Sequence, residues 1–451
     1  MRGKRYFGTD GIRGEVGQPP MTVEFALRLA SATARVLAPD GGSVLIGKDT
    51  RVSGYMFESA MEAGFVASGV DVLLTGPLPT PAIAFLTRKL GADFGIVISA
   101  SHNPYYDNGI KLFDRAGAKL SDEIEEAIEA QLESPVVTRS SRALGQARHI
   151  ADTRVDYQEF CKRTIPDGMN FKGLKLVVDA SHGAAYKVAP RVMEDLGAEV
   201  VPVGCSPNGR NINDGCGATR PDLLQLTVTG VRAHAGLALD GDGDRVVMVD
   251  ESGELIDGDR LLYILARDRL EQGALRGPVV GTVMSNLGLE LALGELGIEF
   301  RRARVGDRHV LEMLKASGGV LGGETSGHVL CLDKATTGDG LVTALQILAV
   351  MRRTGASLRE LVEDMPVYPQ RIVNVEAANS VDVNDEPGIR QAVGDAESIL
   401  GERGRVVLRA SGTEPVIRVM VEGEDEETVS SVARTLSDSV RRRIDSMAAA
   451  S

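Results

Sequence analysis

The stretch Phe94-Gly95-Ile96-Val97-Ile98-Ser99-Ala100-Ser101-His102-Asn103-Pro104 joins a wholly apolar run to a short polar loop. The apolar run reads as a buried strand of a parallel sheet, and open α/β sheets bind their ligands at the carboxyl ends of such strands. The loop therefore stands where chemistry is expected. It sets a hydroxyl, Ser101, beside an imidazole, His102, and Ser101 is the candidate nucleophile. A Ser-His pair in a loop often does no more than hydrogen-bond locally, so other motifs must support the assignment.

A second loop of this kind is Asp240-Gly241-Asp242-Gly243-Asp244-Arg245, between the apolar runs Ala235-Gly236-Leu237-Ala238-Leu239 and Val246-Val247-Met248-Val249. Three carboxylates alternating with glycine can converge on one divalent cation, and hard oxygen donors suit Mg²⁺ or Ca²⁺. Asp240, Asp242 and Asp244 are thus candidate metal ligands. A calcium EF-hand would use the same acidic register, with Glu251 in twelfth place. Its sixth place needs glycine where this chain has Arg245, and its flanks must be helices rather than strands.

Two more loops carry polar clusters. Gly322-Gly323-Glu324-Thr325-Ser326-Gly327-His328 follows the strand-like Gly319-Val320-Leu321, and Glu324, Ser326 and His328 suit the neighbouring hydroxyls of a polyol. Arg409-Ala410-Ser411-Gly412-Thr413-Glu414-Pro415 precedes a strand carrying Arg418. Two guanidinium groups, two hydroxyls and the amides of a glycine-containing loop are ingredients of a phosphate nest, which makes Arg409, Ser411, Gly412, Thr413 and Arg418 candidates for it.

Three segments share one plan of helix, Gly-X-acidic turn, strand, second helix, strand and motif. Their anchors are Ala67-Ser68-Gly69-Val70-Asp71-Val72, Asp195-Leu196-Gly197-Ala198-Glu199-Val200 and Glu295-Leu296-Gly297-Ile298-Glu299-Phe300. The loops near Ser99, Asp240 and Gly322 would then occupy equivalent strand ends of duplicated α/β units. From about Tyr368 the plan changes to strand (371–375), helix (387–400), two strands (405–408 and 416–422) and a closing helix, a small separate α+β domain. Val429, Val432, Leu436, Val440 and Ile444 recur at helical spacing on that last helix. Its Arg441-Arg442-Arg443 run reads as a solvated face complementing the helix C-terminus.

A chain of 451 residues is long enough for three or four domains, and its 43% apolar content supports several cores. No apolar run approaches the roughly 20 residues of a membrane span, and no secretory signal opens the chain. Cys161, Cys205, Cys216 and Cys331 show neither CxxC spacing nor zinc-type partners, which fits a reducing cytoplasm. His149, His182 and His234 read as ordinary polar residues. A net charge of -13 argues against a nucleic-acid partner and leaves local arginines and a metal to hold any anionic small ligand.

With these loops in hand, the chain resembles the α-D-phosphohexomutase superfamily from end to end, and within it the bacterial phosphoglucosamine mutases. The resemblance rests on the four loops, on Arg5-Tyr6-Phe7-Gly8-Thr9-Asp10-Gly11-Ile12-Arg13-Gly14, on Tyr105-Tyr106-Asp107-Asn108-Gly109-Ile110-Lys111 after the serine, and on Thr337-Gly338-Asp339-Gly340. One departure is Thr325, where members commonly carry Gln or Asn. The resemblance implies an α/β protein of three related mixed domains and a smaller, mobile C-terminal α+β domain around a central cleft. The expected division is 1–151 with the phosphoserine loop, 152–252 with the metal loop, 253–366 with the sugar loop and 367–451 with the phosphate loop.

It also implies interconversion of glucosamine 6-phosphate and glucosamine 1-phosphate, through a phosphorylated Ser101 and glucosamine 1,6-bisphosphate, on the route to UDP-N-acetylglucosamine and the cell wall. One Mg²⁺ would be held by Asp240, Asp242, Asp244 and an oxygen on Ser101. Arg245 would help bind the transferring phosphate, with Lys111 and His102 as candidates for moving the hydroxyl proton. Lys111 would need a lowered pKa to act as a base. Arg13 and Arg308 reach either the cleft or interdomain salt bridges. A homodimer is compatible with the resemblance. A phosphomannomutase or phosphoglucomutase would use the same loops and differ in how C2 is read. A phosphatase or a non-catalytic sugar-phosphate binder would share the metal site.

Overall fold

The computed structural model describes residues 4–376, 386–410 and 416–450. The first unit holds β1 (Ile12–Glu15), α1 (Val23–Leu37), β2 (Gly42–Lys48), α2 (Val52–Ala67), β3 (Val70–Pro77), α3 (Thr80–Leu90), β4 (Phe94–Ile98), β5 (Asp107–Asp114), α4 (Asp122–Gln131) and β6 (Ala147–His149). The second holds α5 (Thr153–Lys162), β7 (Lys175–Asp179), α6 (Ala189–Asp195), β8 (Glu199–Val203), α7 (Asp222–Val231), β9 (Ala235–Leu239), β10 (Val246–Asp250) and β11 (Leu255–Ile256). The third holds α8 (Gly258–Glu271), β12 (Val279–Thr282), α9 (Leu287–Glu295), β13 (Phe300–Ala303), α10 (Asp307–Ser317), β14 (Leu321–Gly323), β15 (Val329–Cys331) and α11 (Gly340–Thr354). The last holds β16 (Gln370–Glu376), α12 (Pro387–Leu400), β17 (Gly404–Ala410), β18 (Val416–Gly423) and α13 (Glu426–Ala450).

The expected duplication is present in the sheets. Strand orders β5-β4-β2-β3, β10-β9-β7-β8 and β15-β14-β12-β13 are the same four-strand unit, extended by β1 and β6 in the first and by β11 in the second. In each unit the first strand runs antiparallel to the second and the other two pairings are parallel. The anchor glycines explain the shared turn: Gly69, Gly197 and Gly297 directly follow the C-cap residue of a helix with φ of 80°, 91° and 72°, a conformation that ends a helix cheaply only without a Cβ.

Three expectations need correction. The buried strand β4 is parallel to β2 on one side but antiparallel to β5 on the other. The third motif's strand begins at Leu321 rather than Gly319, because Gly318 at φ 70° still closes α10, and Gly322 and Gly323 lie within β14. The exposed arginines 441–443 do not complement a helix end, since α13 continues to Ala450 and has no basic residue in its last turn.

The first three units share a large apolar core in which Ile83, Tyr157, Leu237, Leu262 and Leu345 take part, so they pack as one block. The C-terminal sheet has a core of its own, made by Val375, Val419, Val421, Val429, Leu436 and Val440. Among the described residues all four cysteines are free, and no helix is long and apolar enough to cross a membrane.

Candidate active site

Because the units repeat, the loops after β4 and β9 project from equivalent strand ends, and the block turns them toward each other. Ser101, 1% exposed, donates from Oγ to Asp240 Oδ2 at 2.5 Å across the boundary between the first two units. Its φ of 52° is held from both sides. The fully buried Arg51 donates to Ser101 O at 3.2 Å and to Asn103 O at 2.5 Å, and pairs with Asp49. Asn213 of the second unit donates Nδ2 to the same two carbonyls at 3.0 Å.

The glycines of the acidic loop have separate reasons. A Cβ on Gly241 would stand 2.6 Å from Ser101 O, and Gly243 takes φ 73°. Thr80 at the start of α3 binds the loop twice, from its N–H to Asp242 O at 2.8 Å and from its hydroxyl to Asp242 Oδ2 at 2.5 Å. Asp240, Asp242 and Asp244 each offer an oxygen within 4.8 Å of the others, and Asp242 Oδ1 and Asp244 Oδ1 are buried without a hydrogen-bond partner. Buried, unpaired and clustered carboxylate oxygens are costly unless a cation neutralises them, so the donor set fits a hard divalent metal. Burial, reinforced by Asp244 and Asp242, pushes the Asp240 carboxyl well above its ordinary range.

Cations surround the triad. Lys111 on β5 lies 2.8 Å from Asp242 Oδ2, 2.8 Å from Asp10 Oδ2 and 3.2 Å from Asp244 Oδ2. Burial works against its charge, but these three carboxylates hold its pKa well above the usual lysine value. With the three carboxylates facing it Lys111 is charged, and the lowered pKa that action as a base requires is not met by this arrangement of side chains alone. His102 is the opposite case, lowered to about 4 by burial and by Arg245 and Arg13, with Nδ1 3.4 Å from Ser101 Oγ. His328 stands 3.7 Å from Asp244 Oδ1 and 3.4 Å from Asp307 Oδ2. Burial opposes its protonation, yet Asp244 and Asp307 push it up to about 9.

A cavity of about 520 Å³ opens beside these groups. Tyr6, Thr9, Asp10, Arg13, Asp244, Arg245, Asp307, Glu324 and His328 are among its lining residues. Nε of Arg13 and Nε of Arg245 have no hydrogen-bond partner, leaving donors for an anion.

Models of the phosphoglucomutase/phosphomannomutase family match the chain domain by domain: domain I over residues 4–136, domain II over 156–253, domain III over 257–368 and the C-terminal domain over 372–439. A phosphoglucosamine mutase of Nitrosococcus oceani is 57% identical over 438 residues, covering 97% of each chain. This chain belongs to the phosphoglucosamine mutases. A solved phosphoglucomutase/phosphomannomutase family protein of Burkholderia thailandensis superposes with a TM-score of 0.80 at 26% identity, covering 96% of this chain and 97% of that one. Aspergillus fumigatus N-acetylphosphoglucosamine mutase, solved in complex with GlcNAc-6P and magnesium, shares the fold at a TM-score of 0.68 and 19% identity, over 97% and 96% of the two chains.

The remaining predicted residues of this phosphohexomutase fall in different places. Glu324 lines the cavity and accepts the Gly306 N–H at 2.9 Å, while Ser326 is exposed at the loop tip. Arg308, read as reaching either the cleft or an interdomain salt bridge, pairs here with Glu125 at 2.6 Å and with Asp122 of α4, the second of those readings. Arg409 and Arg418 face each other across β17 and β18. Burial and Arg418 lower the Arg409 pKa, and Glu324 of the third unit opposes that shift, which brings the C-terminal strand within electrostatic reach of the sugar loop. Ser411, Gly412 and Thr413 lie outside the described residues. Sequence reading did not assign Asp10, Lys119 or Asp307, where Lys119 joins Asp10 at 2.5 Å and also binds Asp307. Asp10 sat in a quoted motif without a role. The other two carry no local signal, because only the meeting of two units makes them neighbours.

Proposed function

We propose that this chain interconverts glucosamine 6-phosphate and glucosamine 1-phosphate in the cytoplasm, through phospho-Ser101 and glucosamine 1,6-bisphosphate. The carrying observation is the Ser101 hydroxyl, 2.5 Å from Asp240 at a cluster of buried carboxylates. The reading keeps four domains, 1–151, 152–252, 253–366 and 367–451. Each supplies one loop to the cleft.

In the first half-reaction a sugar hydroxyl oxygen attacks the phosphorus of phospho-Ser101, and the bond from phosphorus to Ser101 Oγ breaks. His102 is neutral at working pH and near enough to Oγ to accept the hydroxyl proton and return it to the serine oxygen. Lys111, Arg13 and Arg245 offer positive charge to the phosphoryl oxygens. Mg²⁺ bound by Asp240, Asp242 and Asp244 would neutralise charge on the transferring group. Arg409 and Arg418, with Ser411, Gly412 and Thr413, hold the other phosphate, and Glu324 and Ser326 take the sugar hydroxyls. His328 acts from behind, fixing Asp244 and Asp307. The bisphosphate then reorients and returns its second phosphate to Ser101.

Phosphorus NMR of the phosphorylated enzyme with glucosamine 6-phosphate, Mg²⁺ and a trace of bisphosphate should show the 1-phosphate accumulating without inorganic phosphate. Steady phosphate release would make the protein a phosphatase. Faster exchange of glucose or mannose phosphates would move it to another branch of the family.

A further inference from the structure

Thr325 sits in the middle of the sugar loop, and its hydroxyl donates to Asp259 Oδ2 at 2.7 Å. Asp259, in the first turn of α8, is 1% exposed. The same oxygen accepts the backbone N–H of Asn286 at 2.8 Å. Asn286 begins α9 and grips Tyr368 twice, from Nδ2 to Tyr368 O at 2.9 Å and from Tyr368 N–H to its own Oδ1 at 3.0 Å. Tyr368 lies two residues ahead of β16, where the chain enters the C-terminal domain.

The turn before α9 is also the seat of that domain. Leu287 N–H donates to Glu422 Oε1 at 3.1 Å, and Glu422 Oε2 accepts from Arg405 Nε at 2.5 Å. Arg405 donates in turn to Val283 O at 2.8 Å and to Ser285 O at 2.5 Å. The apolar core of the C-terminal domain is separate from that of the block, and this polar seat links the two. The sugar loop is fastened to α8 by its backbone as well: Gly258 N–H donates to Thr325 O at 3.0 Å, and a Cβ on Gly258 would stand 2.0 Å from Glu324 O.

We propose that Asp259 is a positioning residue that couples the sugar loop to the seat of the C-terminal domain, through the Thr325 hydroxyl on one side and the Asn286 amide on the other. This rests on the mutase reading, because its use is in turnover: a bisphosphate that reorients must be released by Glu324 and by the arginines of the C-terminal domain in concert, without leaving. Two donors share one carboxylate oxygen, so a shift of Thr325 changes what that oxygen offers Asn286, and with it the grip on Tyr368. A contiguous path of contacts does not itself demonstrate coupling, which is therefore measured directly.

The experiment compares Thr325→Val, which keeps the shape and removes the hydroxyl, with Thr325→Ser, which keeps the hydroxyl. Hydrogen exchange at the Asn286 and Tyr368 amides and the fraction of bisphosphate released per turnover are the readouts. In the valine variant both amides should exchange roughly tenfold faster, as loss of one hydrogen bond to a charged group implies, with α11 unchanged and bisphosphate escape increased. The serine variant should match the parent in both. Parental exchange and escape in the valine variant would overturn the coupling. So would faster exchange throughout the third unit, or a serine variant that behaves like valine. If the parent interconverts no isomers, the mutase reading fails, while the exchange readout still decides whether Thr325 and the seat are linked.

Discussion

Ser101 holds a left-handed backbone that non-glycine residues adopt rarely, and strain of this sort persists only where the surroundings over-determine it. Here the determination comes from Arg51 and Asn213, whose donors converge on the carbonyls of Ser101 and Asn103. Replacing Asn213 by Asp keeps the shape and sets a carboxylate against two carbonyls. Losing two hydrogen bonds and adding repulsion should slow phosphorylation of Ser101 by the bisphosphate roughly tenfold to a hundredfold and also lower the melting temperature. Intact-mass time courses would measure it, and a parental rate would show that Asn213 does not hold the nucleophile. The Ser101 loop and the acidic triad could be picked out as candidates in the sequence because adjacent residues carry their chemistry, and the structure brings them together. Arg51 and Asn213 could not: each is an ordinary polar residue in its own segment and gains its meaning from a loop 50 or 112 positions away. Lys111 was named from the sequence, whereas the carboxylates of Asp10, Asp242 and Asp244 around it come together only in space.

At the scale of elements, periodicity and glycine placement revealed nearly all of the repeat, since a helix ending in a positive-φ glycine before an apolar strand is a local pattern. What stayed hidden was how helices of different units meet. Asp339 caps α11 by accepting the Val342 N–H at 2.9 Å, and it also accepts the hydroxyl of Tyr157 from α5 at 2.7 Å. Burial pushes its carboxyl up to about 6 from an ordinary 3.8. The folded state therefore binds this proton more tightly than the unfolded chain. The associated stability is present in full below the ordinary value and is lost as pH rises toward the raised one, a change of up to ~3 kcal/mol. Asp339→Asn retains a capping oxygen and cannot ionise, so its stability relative to the parent should improve as pH goes from about 4 to 6 and then level off. Urea unfolding across that range checks this, and two parallel pH curves would mean that Asp339 is not buried as a coupled cap.

On the scale of the whole molecule, Arg308 and Arg409 stand in different surroundings because of which surfaces the assembly brings together. Arg308 belongs to the clamp between the first and third units, with Glu125 also held by Lys4 at 2.6 Å. Since Lys4 remains to pair Glu125, Arg308→Met should cost roughly 2 kcal/mol of stability and leave KM within about threefold of the parent. A tenfold rise in KM at unchanged melting temperature would return Arg308 to the cleft. Arg409 lies on the domain whose core is separate from the block, opposite Arg418 and within reach of Glu324. If one phosphate loop serves both half-reactions, it holds the 6-phosphate in one and the 1-phosphate in the other. Charge-assisted hydrogen bonds to phosphate contribute about 1.5 to 3 kcal/mol, so Arg409→Ala should lower kcat/KM roughly tenfold to a hundredfold, equally in the forward and reverse directions. Weaker retention should also release more free bisphosphate and slow the return of phosphate to Ser101. Kinetics in both directions, run beside a bisphosphate assay, separate this from the alternative: a defect confined to one direction without leakage would mean two phosphate sites in the cleft, and the bisphosphate would not need to reorient.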